Sequence, residues 1–584
     1  MSFPTFADEV ALASLPFDTP QVWTDLSART RLRSWSRGRQ TETVRPDTGR
    51  SSTVFENTDR ALDPENTASA YYPNVLPMRR VRATASVRPL MTNLCTNPSF
   101  ETNLLESGTA WTAFSGVGTV SRDNAHSKYG SWAMKFIGAG AGAGPAVGIN
   151  TPEPVTAGLT YTISYWIFGA GGEQLKAGLA FFNAAWANLS GWVGTNVTLV
   201  PGWQRVSFTS VATAGATQWL PRIQALTGTS YTYWVDGIQI EQAAAATAYC
   251  DGDQPGCEWT GTPHASTSTV TTYYLFTHFV DPLQGWQITQ DSPGYAEVTA
   301  VANDGFDVLA TAQFTELDSF PQQTAAARIT AILDLFSWPA AERSIDVSDT
   351  AEIQAAVAGT LTGQTALDQI QAASDTEDGV FYIDGRGYAT FHSRYYSLLN
   401  ARAVTSQATF CDLPNLAGGS FLYTSLTPSQ SPIVNDYLVT RAGGTQIEAL
   451  DSVSEGLYRT RSVTLDTLHL TNLEAVDFAR YKVIATRDSH RRYDEMTITP
   501  GDDDAVWLQV FQREIGDRIT VVWSPPGGGA ADVRDMFIEA VSFNVGPGVE
   551  ASVTYRLSPG SQVTGWVLGD AIQGVLGSST FLRY

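Results

Sequence analysis

The strongest constraint in this chain is a series of short segments in which apolar and polar residues alternate, each closed by Gly, Ser, Asn or Pro. Between residues 131 and 242 they include "SWAMKFI", "TYTISYWIFG", "KAGLAFFN", "WQRVSFTSV", "QWLPRIQAL" and "YTYWVDGIQIEQ". A period of two places every second side chain on one face of an extended strand. Several such strands at regular spacing, separated by turn residues, predict a β-sandwich. The section ends in "AAAATAYCDGDQPGCEWTGTPHASTST", a turn-rich connector. Strand texture precedes it in "TVFEN" and "RRVRATASV", and resumes after it in "YYLFTHFVDPLQGWQI" and "YAEVTAVANDGFDVLA". Residues 91–262 therefore read as an insertion, 263–270 as its connector, and 1–90 with 271–320 as one surrounding, discontinuous β-domain.

Helical signals come later. "TAAARITAILDLFSWP" places Ile329, Ile332, Leu333 and Phe336 on one face, with Thr324 as cap and Pro339 beyond the end. "GQTALDQIQAASD" carries a weaker stripe of Leu367, Ile370 and Ala373, and "GVFYIDGRGYATFH" is a hairpin with Asp384-Gly385 at its turn. Residues 321–402 thus read as a small α+β module. From 403 to 556 a second β-domain is expected from "NDYLVTRAGG", "EMTITP", "RITVVW", "MFIEAVSFNV" and "EASVTYRLS". Its one helix, "TNLEAVDFARYKVIATR", opens with a Thr471/Glu474 capping box. Residues 557–584 form a C-terminal segment. The fold class is mainly β and multidomain: two barrel-like β-domains, a small α+β module and an inserted sandwich.

Composition narrows the function. The formal charge is −22, from 58 acids against 36 bases, which argues against a protein that binds nucleic acid by neutralising phosphates. "MSFPTFADEV" has no basic n-region and no apolar h-region follows it, and no apolar run approaches the length of a membrane span. The chain is therefore expected to fold in a cytoplasm. Cys250 and Cys257 either close a small ring or remain two free thiols beside a turn.

Catalytic motifs are missing. The histidines (His126, His264, His278, His392, His469, His490) have no zinc-ligand spacing, and neither a GxSxG elbow nor a P-loop occurs. Cys411 reads as a buried structural thiol and Asp502–Asp504 as a solvated turn. The acidic stretch holding Asn57, Asp59, Asp63, Glu65 and Asn66 lacks the central Gly and the spacing of a calcium loop, and reads as a loop between strands. No segment points to the paired carboxylates of a glycosidase.

The insertion is more informative. Trp111, Trp132, Trp166, Trp186, Trp192, Trp203, Trp219 and Trp234 are more indoles than its core needs. In "FFNAAWANLSGW" a strand runs into a loop with Trp186, Asn188 and Trp192, types suited to stacking on and hydrogen-bonding a sugar ring.

Residues 93–242 resemble the jelly-roll carbohydrate-binding modules attached to glycan-active enzymes. The resemblance rests on "NPSFE", "HSKYGSWAMKF", "TYTISYWI" and "YWVDGIQIEQ". It implies a structural calcium held by Glu101 and Asp236 with a main-chain oxygen near Lys128; acids that merely cap strand ends are the alternative.

The frame resembles the tail-tip (baseplate) hub proteins of long-tailed phages of actinobacterial hosts. The residues that carry this are "SWSRGR", "GRSSTVFENTDRALDPENTASAYYPNVLPMRRVRA", "HFVDPLQGWQI", "ILDLFSWP", "LTGQTALDQIQAASDTEDGVFYIDGRGYATF", "IGDRITVVWSPPGGG" and "WVLGDAIQGVLGSSTFLRY". The resemblance implies a non-enzymatic structural protein at the virion tail tip, assembled in the host cytoplasm. It implies a homotrimer that contacts the distal tail ring, the tape measure protein and other tip or fibre proteins. DNA would pass through without specific binding, the insertion would touch host-wall glycan, and no cofactor beyond the calcium is implied. The alternatives are a hexameric distal tail protein with the same insertion and a cell-wall glycan hydrolase with a carbohydrate-binding module.

Overall fold

A computed structural model describes residues 4–584 except 107–108, 115–117, 142–143, 148–152, 229, 293, 414–418, 431, 490, 547–550, 561–563, 566–579 and 582–584. His490 and most of the expected C-terminal segment, including nearly all of "WVLGDAIQGVLGSSTFLRY", lie outside the described residues. The chain is mainly β and multidomain. It divides into two compact units, one of Phe6–Ala85 with Tyr273–Tyr584 and one of Ser86–Thr272.

In the first unit, fifteen strands belong to one hydrogen-bonded network. Strand Thr30–Gly38 pairs antiparallel with Asp47–Glu56 on one side and with Asp532–Val545 on the other. The segments expected to form two separate β-domains, 1–90 with 271–320 and 403–556, are thus joined edge to edge. The cause lies at the joint. Trp35 and Phe543 are register partners whose rings stack at 4.2 Å, and Phe276 packs against Trp35 at 5.6 Å. An edge bearing such rings is hidden by pairing rather than left to water.

The acidic stretch after Asp47–Glu56 is a string of turns. Asn57 is buried and its Oδ1 accepts from Leu62 N at 2.8 Å; Asp59 binds Arg29 at 2.6 Å and Asp63 binds Arg60 at 2.6 Å.

Helix α1 (Gly305–Thr311) follows strand Tyr295–Asn303 where further strand texture was expected. Asp304 caps it, accepting from Phe306 N at 2.9 Å, so the chain turns helical at once. Helices α2 (Ala325–Leu335) and α3 (Ala366–Thr376) pack on a three-stranded sheet of Arg343–Ile345, Ala389–His392 and Val380–Ile383. Ile329, Ile332, Leu333, Ile370 and Ala373 are fully buried there, while Phe336 is half-buried at the C-cap of α2. The short helices α4 (Tyr396–Leu399) and α5 (Ala401–Val404) follow.

Residues 403–556 hold more than the single helix expected. Strands Ser425–Gln430 and Arg491–Ile498 pair antiparallel. Between them in sequence lies a subdomain of three strands, Asp436–Arg441, Ile447–Leu450 and Ser462–Thr467, with helices α6 (Ser452–Tyr458) and α7 (Asn472–Thr486). "NDYLVTRAGG" therefore belongs to a sheet of its own, covered by α7 around Tyr437, Val439, Phe478 and Val483. The Thr471/Glu474 capping box opens α7. The acids Asp502–Asp504 are not a plain turn either: Asp503 accepts from Ala505 N and Val506 N as the N-cap of α8 (Asp504–Gln512), which buries Trp507.

The second unit is a sandwich. One sheet runs in the order Gly202–Val211, Thr160–Gly169, Ser230–Glu241, Ala133–Ala139, Thr119–Asp123. The other is built on Val193–Thr198, Gln174–Phe182, Gln218–Ala225, Gly144–Val147 and Thr109–Phe114. Tyr161, Ile163, Tyr165 and Ile167 alternate into the core between the sheets, as a period of two requires. The expected connector 263–270 is instead part of this unit: Ser268–Val270 pairs with Thr92–Asn93 and with Cys257–Trp259. Cys250 and Cys257 are disulfide-bonded beside this small sheet.

Candidate functional site

The loop between Gln174–Phe182 and Val193–Thr198 gathers the three residues read as sugar contacts. Asn183 Oδ1 accepts from Ala185 N at 3.0 Å and Ala187 N at 2.9 Å, which throws Trp186 into the left-handed region at φ +62°. Asn188 is exposed, and its Oδ1 accepts from Ser190 N and from Gly191 N at 2.7 Å, so half of its amide builds the turn. Trp186 and Trp192 are half-buried, and both rings meet Phe182 edge-on at 5.8 and 6.5 Å. Arg222 stands over the Trp192 ring at 4.6 Å, and Lys176 Nζ donates to the Trp192 carbonyl at 2.8 Å. Burial pushes the Arg222 guanidinium down to about 10, still cationic near neutral pH. The loop thus presents two half-buried indoles and one exposed amide in a turn, with the buried Arg222 of strand Gln218–Ala225 packed on one indole face; indoles and an amide are residue types that stack on and hydrogen-bond a pyranose.

The surplus of Trp has a second explanation that the sequence reading missed. Arg122 covers Trp132 at 4.0 Å, Lys128 covers Trp166 at 4.3 Å and Lys135 covers Trp234 at 5.0 Å. Each indole takes a cation on its face. Lys135 and Trp234 are cross-strand register partners, a relation visible only once the strands are paired. Trp111 and Trp219 are core residues.

Glu101 and Asp236 hold one loop from two sides. Glu101 Oε1 accepts from Ser131 N and Trp132 N, both at 2.9 Å. Asp236 Oδ2 accepts from Lys128 N at 2.6 Å and Tyr129 N at 2.9 Å, and Oδ1 accepts from Gly237 N at 2.6 Å. Burial pushes the Asp236 carboxyl up to about 7 in spite of these bonds, and the charge of Glu101 adds to the rise. Carboxylate oxygens suit a hard cation, but here backbone N–H groups occupy three of the four. Glu101 Oε2 accepts none of these bonds and Asp236 Oδ1 only one, so those two oxygens are what the pair has left for a cation. Among the described residues no group of three or more His, Cys, Asp or Glu side chains is arranged to hold a metal ion.

The described histidines are dispersed: His278 bonds Ser51 Oγ at 2.8 Å, His469 bonds Thr467 Oγ1 at 2.9 Å, and His392 stacks on Tyr396. Cys411 is buried, with its Sγ at 3.0 Å from the Leu413 carbonyl.

No protein-family model matches the chain, and no curated protein matches it. Among solved structures the chain is similar to the CBM22-1 xylan-binding domain of Paenibacillus barcinonensis Xyn10C, with 19% identity over 25% of this chain and 93% of that chain and a TM-score of 0.21. It is similar to the tail protein from Neisseria meningitidis MC58, with 14% identity over 48% of this chain and 79% of that chain and a TM-score of 0.35. It is similar also to the 43 kDa tail protein of prophage MuSo2 from Shewanella oneidensis, with 13% identity over 49% of this chain and 79% of that chain and a TM-score of 0.33.

Proposed function

We propose that this chain is a structural protein of a phage tail, a trimeric hub at the tail tip, whose inserted sandwich contacts glycan on the host surface. The carrying observation is how the insertion is spliced. The chain leaves the large sheet at the end of Arg80–Ser86 and returns in Tyr273–Val280, and these two strands are antiparallel partners with Ala85 opposite Tyr273. The frame strand pair is therefore complete on either side of the excursion, as expected of a scaffold that carries a display domain rather than of an enzyme built around one. The quoted resemblance of the frame to tail-tip hubs supplies the tail, the trimer and the neighbours: distal tail ring, tape measure and tip fibres. Three weak glycan sites on one tip would act by avidity.

Native mass spectrometry of the purified protein tests the hub. A trimer is expected, whereas a hexamer would move the chain to the distal tail ring. Pull-down of the intact protein on purified host wall tests the insertion. Trp186→Ala with Asn188→Ala is expected to weaken retention by about tenfold or more, and unchanged retention would remove the loop from the proposal. A structural calcium at Glu101 and Asp236 belongs to the same proposal. It requires a melting temperature that rises with added calcium and that no longer does so in Asp236→Asn.

A further inference from the structure

The two ends of the inserted unit, residues 86–93 and 268–272, are bonded to each other. Val270 N donates to the Met91 carbonyl at 3.2 Å, and Thr269 Oγ1 donates to the same oxygen at 2.9 Å. The turn between Cys250 and Cys257 grips both ends. The Cys250 carbonyl accepts from Asn93 Nδ2 at 3.1 Å and from Ser268 Oγ at 3.2 Å, one donor from each end. Cys257 is the register partner of Val270, and the Gly256 carbonyl accepts from Thr271 N at 2.9 Å. Arg88 reaches across from the entering end: its Nη1 donates to the Tyr249 carbonyl at 2.9 Å and stands 3.8 Å from Cys257 Sγ. The disulfide joins these two sets of grips across a sequence separation of 7 residues. A ring that short removes little freedom from an unfolded chain, so its main effect is local.

The bond is placed to open and close without unfolding the sandwich. Neither cysteine belongs to the core between the two sheets. Cys250 is fully buried, whereas Cys257 is half-buried on the three-residue strand Cys257–Trp259. A thiolate from solution therefore reaches the Cys257 sulfur first. Arg88 puts positive charge beside that sulfur, and thiol–disulfide exchange runs through a thiolate. The other two cysteines, Cys95 and Cys411, are free and buried.

We infer that Cys250 and Cys257 form a reversible redox clasp on the ends of the inserted unit, opened by small thiols such as glutathione and closed by their disulfides. Opening is a two-electron exchange. A glutathione thiolate attacks Cys257 Sγ, the sulfur–sulfur bond breaks, and Cys250 leaves as a thiolate that takes up a proton. A second glutathione thiolate attacks the glutathione sulfur of the mixed disulfide. Cys257 then leaves and is protonated, and glutathione disulfide is the product. Closing runs the same steps backwards, starting from the Cys257 thiolate beside Arg88. The open form keeps the sandwich and loses the tie between the two sets of grips. This rests on neither the hub nor the glycan reading.

Thiol counting on the folded, full-length protein tests it, by alkylation and mass spectrometry after equilibration with excess reduced glutathione or with glutathione disulfide. Alkylation of Cys250 and Cys257 is expected in reduced glutathione, and its loss on return to glutathione disulfide. Hydrogen exchange in the open form should be about tenfold or more faster over residues 249–259 and 268–272, and unchanged across the core strands Thr160–Gly169 and Gln218–Ala225. Cys257→Ser should exchange like the open form in both buffers. A disulfide that resists reduced glutathione in the folded protein, one that opens only when the core strands also lose protection, or exchange indifferent to opening and to Cys257→Ser would each overturn the assignment.

Discussion

At the scale of single residues, Asp304 connects sequence, capping and stability. It is fully buried, caps α1 and also accepts from Gly49 N at 2.7 Å, and burial pushes its carboxyl up to about 7. The folded state therefore holds a proton that the unfolded chain releases near pH 4. Between about pH 4 and 7 the folded state binds more protons, so this residue lowers stability as pH rises, by at most about 4 kcal/mol. His278 acts oppositely, because its folded value of about 3 lies below the unfolded one and its neutral burial favours folding as pH rises to about 6.5. Comparing variants isolates the carboxylate. Asp304→Asn loses the bond to Gly49 N and should be clearly destabilised in urea at pH 5, with a deficit that narrows by pH 8. A deficit independent of pH would contradict this account. The same scale shows why the candidate site is only half legible in sequence. Trp186, Asn188 and Trp192 are brought together and the turn bonds of Asn188 are local, yet the guanidinium over Trp192 comes from another strand, and a string of letters does not state strand neighbours.

At the scale of elements, alternation and caps were the readable signals. The insertion's strands and helices α2, α3 and α7 follow from them directly. Helix α8 did not, although Trp507, Val510 and Phe511 form an i, i+3, i+4 stripe, because nine residues are too short a window for periodicity and the three acids before it look like a turn. The subdomain between Ser425–Gln430 and Arg491–Ile498 reads in sequence as part of the second β-domain, 403–556, since nothing in a strand's own sequence says which sheet it joins. Its integrity rests on α7. Thr471→Ala removes one half of the capping box and should cost about 1 kcal/mol in chemical denaturation, with the effect confined by hydrogen exchange to residues 432–488. The joint of the large network is costlier to disturb. Trp35 is 4% exposed and stacked on Phe543, a contact that crosses between segments some five hundred positions apart, and that distance is why two domains were expected where one network stands.

At the scale of the whole molecule, the frame and the insertion are separable by design of the chain path. Replacing residues 87–271 by a short hairpin turn should leave a folded frame with the oligomeric state of the full protein and no retention on host wall; a frame that no longer folds would mean the insertion is part of its core. The two-strand splice also has a mechanical meaning. A pull on the insertion reaches the frame through two leads at once, and both run into strands hydrogen-bonded to each other. Each of these strands has a further neighbour on its outer side, Thr5–Val10 for one and Tyr295–Asn303 for the other. Tension along them must therefore shear several rows of bonds together instead of peeling them one at a time. A load carried by the insertion would therefore enter the frame through two strands already paired with each other, not through one free end.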